Sequence, residues 1–126
     1  MTRPRLLVVE DDPDVCEMVR LTVGDRYDVI AETDGRKALE RLAEIEPDVA
    51  VVDLVLPGTD GLTVCERIKA ERPQALVVII TATTAGSDLP DTFWRLGTPA
   101  DAFLTKPFDP QRLVTTIQEL LEKGRS

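Results

Sequence analysis

The sequence predicts an α/β fold in which one parallel sheet is covered by helices on both faces. Three observations predict it. Short Val/Leu/Ile runs of strand length recur along the 126 residues, and several are apolar at every position, as strands buried on both faces are. Segments with apolar residues at helical spacing separate these runs. The third observation is the stretch Val51-Val52-Asp53-Leu54-Val55-Leu56, in which a single carboxylate interrupts an apolar run before Pro57-Gly58. Desolvating a lone carboxylate is costly, so Asp53 belongs at the C-terminal edge of its strand. Open α/β sheets bind their ligands at that edge.

The elements follow in order. Arg5 to Val9 is an apolar strand that runs into Glu10-Asp11-Asp12, and Pro13 suits the first turn of a helix capped by Asp12. Val15, Met18, Val19, Thr22 and Val23 recur at helical spacing, and Gly24 is the expected stop. Tyr27 to Glu32 alternates as a strand. Asp34 caps a second helix with Ala38, Leu39, Leu42 and Ile45 on one face, and Pro47 ends it. The charges Glu40-Arg41 and Glu44 to Glu46 read as its solvated face.

Asp48 to Asp53 is the third strand. A helix starting at Thr59 or Asp60 buries Leu62, Cys65 and Ile68, and Pro73 closes it. Leu76 to Thr81, the most apolar run, is expected to be a central strand, and Ala102 to Thr105 a short fifth one. Between them, Ser87 or Asp88 caps a short helix from about Pro90 to Leu96, which Gly97-Thr98-Pro99 breaks. Asp109-Pro110 opens the last helix, with the stripe Leu113, Val114, Ile117, Leu120 and Leu121. Five strands alternating with helices give a doubly wound parallel sheet with right-handed crossovers.

The length suits a single domain over residues 1–126, with a core from residue 4 to residue 122 and no output domain on the chain. Fifteen basic and 23 acidic residues give a net charge of −8. That balance argues against binding nucleic acid or anionic membrane, both of which rely on Lys/Arg clusters. Cys16 and Cys65 have neither metal nor redox spacing and read as small buried thiols. No apolar run reaches membrane-spanning length, and Met1-Thr2-Arg3-Pro4 opens directly into a strand, so a cytoplasmic protein is expected. The sequence has no histidine.

The chemistry gathers at strand ends. Glu10 and Asp11 follow the first strand, Asp53 the third, Thr81 the fourth and Lys106 the fifth. A parallel sheet puts all of these on one edge. Three carboxylates that close repel one another. A hard divalent cation resolves the repulsion, and Mg²⁺ suits because it takes few carboxylates and keeps waters. Lys106 offers a point charge and Thr81 a hydroxyl to phosphoryl oxygens. Such a pocket stabilises the spread charge of phosphoryl transfer. Asp53, alone on a central strand, is the candidate nucleophile that forms an acyl phosphate.

The motifs Val8-Val9-Glu10-Asp11-Asp12, Val52-Asp53-Leu54-Val55-Leu56-Pro57-Gly58-Thr59-Asp60-Gly61, Ile80-Thr81-Ala82 and Leu104-Thr105-Lys106-Pro107-Phe108 together resemble the receiver domain of bacterial two-component response regulators. The resemblance covers nearly the whole chain. It implies a flavodoxin-like (CheY-like) three-layer sandwich with a five-stranded parallel sheet in the order 2-1-3-4-5. It implies Asp53 as phosphoacceptor, and a Mg²⁺ site (Mn²⁺ as substitute) made by Asp11, Asp53, the Val55 backbone carbonyl and Glu10, the last largely through water. It places Thr81, Ala82 and Lys106 at the phosphoryl group, with Thr81 and Phe103 as the switch pair and a cis Lys106-Pro107 bond. Phe103 reads equally well as a core aromatic. Asp12 reads as a helix cap rather than a ligand. The segment between Thr81 and Phe103 is longer than the family pattern, with Trp94 where small residues are frequent.

The implied partners are a sensor histidine kinase or phosphotransfer protein, since the chain lacks a histidine, and a downstream output domain or partner protein, with neither nucleic acid nor membrane. The output surface would be the expected helix at 90–96, the fifth strand and the last helix. A pseudo-receiver that acts without phosphorylation is the alternative, and its expected mark is loss of pocket residues. A phosphatase with an Asp nucleophile wants a second acid two residues on, where this chain has Val55. The chain is therefore expected not to be an enzyme beyond self-catalysed phosphoryl uptake and slow loss.

Overall fold

Asp12, Asp34, Asp60 and Asp109 each sit just before a helix, and their side chains satisfy first-turn amides that the helix itself leaves open. Asp12 accepts from Asp14 N, Asp34 from Arg36 N and Lys37 N, Asp60 from Thr63 N, and Asp109 from Gln111 N at 2.9 Å. The computed structural model describes residues 3–82 and 99–124. The helices that these aspartates start are α1 (Pro13–Val23), α2 (Gly35–Ile45), α3 (Gly61–Glu71) and α4 (Pro110–Gly124). The short helix expected at 90–96 lies outside the described residues.

The strands are β1 (Arg5–Val9), β2 (Asp28–Glu32), β3 (Val49–Asp53), β4 (Leu76–Ala82) and β5 (Ala102–Lys106). They form one parallel sheet in the order β2-β1-β3-β4-β5, as the resemblance implied. β2 and β3 start one residue later than the sequence reading, and β4 and β5 each end one residue later, at Ala82 and Lys106, because the ladder runs on through Thr81↔Thr105 and Ala82↔Lys106.

The strand alternation splits the core into two layers. Leu6, Val8, Val49, Val51, Val78, Ile80 and Leu104 face α1 and α4, where Cys16, Val19, Leu113 and Ile117 meet them. Leu7, Val9, Ala50, Val52, Val77 and Ile79 face α2 and α3, against Ala38, Leu42, Val64, Cys65 and Ile68. On α3 the buried face includes Val64, while Leu62, expected inside, is only half-buried. Gly24 caps α1 in the right-handed region, whereas the left-handed cap falls on Glu46 after α2. Both cysteines are free and buried. Among the described residues no helix is long and apolar enough to cross a membrane.

Two glycines shape the loop after β3. Gly58 has φ +85°, a conformation costly for residues with a Cβ, and sits against Asp34. A Cβ on Gly61 would collide with the Asp53 carbonyl oxygen. The start of α3 can therefore lie directly on the strand end that carries Asp53, and Gly61 N donates to Leu54 O at 2.8 Å.

Candidate functional site

Register places the site. Val9 pairs with Val52, so Glu10, one residue past β1, comes level with Asp53 at the end of β3. Asp53 pairs with Ile80, and Ile80 with Leu104, which brings the last residues of β4 and β5 to the same edge. By alternation Glu10, Asp53 and Lys106 continue the α1/α4 face of the sheet. Thr81 and Phe103 share the opposite face.

Lys106 grips both buried acids. Its Nζ donates to Asp53 Oδ2 at 2.8 Å and to Glu10 Oε1 at 3.0 Å, and stands 2.9 Å from Glu10 Oε2. The last contact is an ion pair off the hydrogen-bond direction, so Glu10 Oε2 is a buried oxygen with no hydrogen-bond partner. Asp12 N donates to Glu10 Oε1 at 3.2 Å, and Val55 N donates to Asp53 Oδ1 at 3.1 Å. The Lys106-Pro107 bond is cis.

Glu10 is fully buried at 0% exposure, a rare place for a carboxylate. Burial first, then the neighbouring Asp53 carboxylate, push its carboxyl up to about 7, against the pull of Lys106 and the Asp12 amide. For Lys106, burial works against the ammonium, but the hydrogen bonds and charges of Asp53 and Glu10 outweigh it and hold its pKa above the ordinary lysine value.

The acids fit a divalent cation. Carboxylate oxygens of Glu10, Asp11 and Asp53 all lie within 4.8 Å of one another. At an effective dielectric near 20, each charged pair at that spacing repels by roughly 3 kcal/mol. When all three are ionised, the carboxylates against the Lys106 ammonium leave two negative charges to be met. Glu10 Oε2, which has an ion pair with Lys106 but no hydrogen bond, and the exposed Asp11 give that cluster an oxygen for a cation and an opening to solvent. Hard oxygen donors that include carboxylates are the set Mg²⁺ takes.

The remaining expected residues fall as follows. Thr81 is buried at the same edge, one residue past the register partner of Asp53. Ala82 is the β4 partner of Lys106. Val55 has its amide on Asp53 and its side chain 76% exposed. Phe103 is half-buried among the α2/α3-side core, two residues before the partner of Thr81 on the same face. It packs on the face of the sheet that Thr81 shares and not on the face of the acid cluster. Glu32, at the end of β2, is held by Arg41 at 2.8 Å, so that charge is not simply solvated. Sequence reading missed the joint hold of Lys106 on two acids and the thiol of Cys16 beneath Glu10. No motif spacing signals either of them. A cleft of about 480 Å³ between α1 and α4, which Thr22, Tyr27 and Gln118 help to line, contains none of the site residues.

Residues 6–118 match the family model described as response regulator receiver domain. The DNA-binding response regulator MtrA of Mycolicibacterium smegmatis is 35% identical over 123 residues, which are 97% of this chain and 52% of that protein. The DNA-binding dual master transcriptional regulator RpaA of Synechocystis sp. is 32% identical over 121 residues, 95% of this chain and 50% of that protein. The chain thus spans about half the length of these relatives. The crystal structure of a CheY-like response regulator receiver domain protein from Methanospirillum hungatei has the same fold, with a TM-score of 0.86 at 23% identity, covering 98% of both chains. The relatives overturn the expectation that nucleic acid has no place among the partners. MtrA and RpaA are named as DNA-binding, and the charge of a segment half their length says nothing about the other half. With its sheet order, its strand-end acid cluster and the match over residues 6–118, this chain belongs to the response regulator receiver domain family of two-component systems.

Proposed function

We propose that Asp53 is the phosphoacceptor of this receiver domain and that Glu10, Asp11, Asp53 and the Val55 carbonyl hold its metal ion. The carrying observation is the Lys106 ammonium set 2.8 Å from Asp53 Oδ2. A cation so placed neutralises an oxygen of an incoming phosphoryl group and leaves the carboxylate able to attack in a pre-formed electrostatic site. The donor is a phosphohistidine of a sensor kinase or phosphotransfer protein, as membership of the receiver family supports. An Asp53 oxygen forms a bond to phosphorus as the P–N bond breaks, and the imidazole of the donor keeps the bonding pair and takes a proton. When bound, Mg²⁺ (or Mn²⁺) supplies charge neutralisation at the acids and a Lewis-acid contact to phosphoryl oxygen. The family is not one of classical enzymes, and the chemistry here is limited to phosphoryl uptake and its slow loss.

The Thr81 hydroxyl and the Ala82 backbone receive the phosphoryl oxygens. Movement of Thr81 toward them opens space on its own face of the sheet, where Phe103 stands, and so shifts the population between two packings. The surface that reports the change is β5 and α4 with the segment between β4 and β5. By likeness to MtrA and RpaA, the output is control of a DNA-binding activity. Residues 1–126 act as one receiver domain, in the cytoplasm, where histidine kinases present their phosphoryl groups. Glu10, Asp11, Asp53, Thr81 and Lys106 are all present, which disfavours a pseudo-receiver. Acetyl phosphate with Mg²⁺ is expected to label the wild-type chain and not Asp53→Asn; undiminished labelling of that variant sinks the reading.

A further inference from the structure

Where β1 gives way to α1, the main chain leaves the sheet ladder before the helix has begun. The Glu10 amide is still engaged, donating to Glu32 O at 3.0 Å. Its carbonyl has left the sheet, and the hydrogen bond it receives comes from a side chain: Cys16 Sγ donates to Glu10 O at 3.3 Å. The thiol is 7% exposed and lies on the inner face of α1, among Leu6, Val8, Val19 and Val49. Glu10 itself is fully buried, and its Oε2 accepts no hydrogen bond. This peptide link also leads directly into Asp11, so its orientation sets the direction of two of the three acids.

We propose that Cys16 is a positioning residue for the metal site: its S–H fixes the Glu10 carbonyl and so holds the Glu10 and Asp11 carboxylates in the arrangement that takes a divalent cation. The inference rests on the reading of the acid cluster as a Mg²⁺ site. A thiol suits the position on two counts. It packs as a small apolar group against the core, and it still donates one weak hydrogen bond to a carbonyl that would otherwise be buried and unsatisfied. Alanine keeps the packing in part and removes the donor. Serine keeps a donor at nearly the same place.

Outer-shell partners of metal ligands typically change affinity by about 10- to 100-fold, and a thiol, as a weak donor, belongs at the lower end. Calorimetric titration of the full chain with Mg²⁺ alone tests this, beside the melting temperature of each metal-free protein. Cys16→Ala is expected to bind Mg²⁺ about tenfold more weakly than wild type, and Cys16→Ser to recover most of the loss. If Cys16→Ala does not fold, Cys16→Val, which retains bulk and lacks the donor, takes its place with the same expected weakening. A purely structural thiol would lower the melting temperature of both variants and leave their Mg²⁺ affinity at the wild-type value, which overturns the inference. Equal weakening in the Ser and Ala variants overturns it too. A wild-type chain that takes up no Mg²⁺ overturns the reading of the acid cluster, and the inference with it.

Discussion

Lys106 Nζ lies 2.8 Å from Asp53 Oδ2 although the two residues stand 53 positions apart in the chain. The same ammonium lies within 3.0 Å of both Glu10 oxygens. One cation thus meets two buried acids at the ends of two other strands. Its removal leaves Asp53 without the charge that steadies an arriving phosphoryl group. Lys106→Met is expected to slow uptake from acetyl phosphate by about a hundredfold, in line with the loss of one pre-set electrostatic contact. Initial rates of acyl-phosphate formation measure it, and an unchanged rate contradicts the role given to Lys106.

Metal removal acts on stability as well as on chemistry. The acids that repel one another in the metal-free chain become ligands when an ion binds, and an ion that binds only the folded state stabilises it. Mg²⁺ at a hundredfold excess over its dissociation constant is worth about 2.7 kcal/mol, a rise of several degrees in thermal midpoint for a chain of this size. Asp11→Asn removes the exposed member of the cluster and is expected to lose most of that rise. Thermal unfolding with Mg²⁺ and with a chelator gives the comparison. An equal rise in wild type and variant contradicts the assignment of Asp11 as a ligand.

Val55 stands two residues past the nucleophile with its side chain 76% exposed and its amide on Asp53. An apolar side chain at the rim cannot orient an attacking water, so the phosphorylated form is expected to persist well beyond seconds. Val55→Asn adds a polar group there and should speed the loss, by less than the ~100-fold that marks the low end of a well-placed general base. Decay of the phosphorylated fraction after donor removal reads both. Loss within seconds in the wild type contradicts the account.

The cysteines give a pH signature. Burial pushes the Cys65 thiol up to about 12, and burial together with the charge of Glu10 raises that of Cys16. The thiolate is the reactive form, so a raised pKa means less of it at every pH below that value. Raising pH from about 7 to about 9 activates an ordinary thiol, whose pKa is near 8.5. It should leave these two nearly inert to Ellman's reagent until denaturant exposes them. Rapid reaction of the native chain at the higher pH contradicts the burial described.

Much of this was legible because local chemistry and global fold agree. Among the described residues, Asp12, Asp34, Asp60 and Asp109 cap the helices they were expected to cap, the apolar runs are the strands, and the strand-end rule collected Glu10, Asp11, Asp53, Thr81 and Lys106 at one edge. Strand ends were less legible, because the ladder runs on to Ala82↔Lys106, where a small residue and a charged one carry no strand periodicity. The reach of Lys106 to Glu10 depends on register between strands 96 positions apart in sequence, which no local pattern encodes. Cys16 looked like filler because a thiol that packs and a thiol that donates have the same sequence signal. The exclusion of nucleic acid failed for a different reason: charge was read from a stretch that is half the length of relatives named as DNA-binding.

The proposed role of Asp53 as phosphoacceptor has a direct chemical test. Borohydride reduction after incubation with acetyl phosphate tests it most directly, because it converts an acyl phosphate on aspartate to homoserine, which peptide mass spectrometry locates. Homoserine is expected at position 53, dependent on Mg²⁺ and absent from Asp53→Asn. Homoserine at position 11 or at another carboxylate, or none in a fully folded Mg²⁺-bound chain, would contradict it.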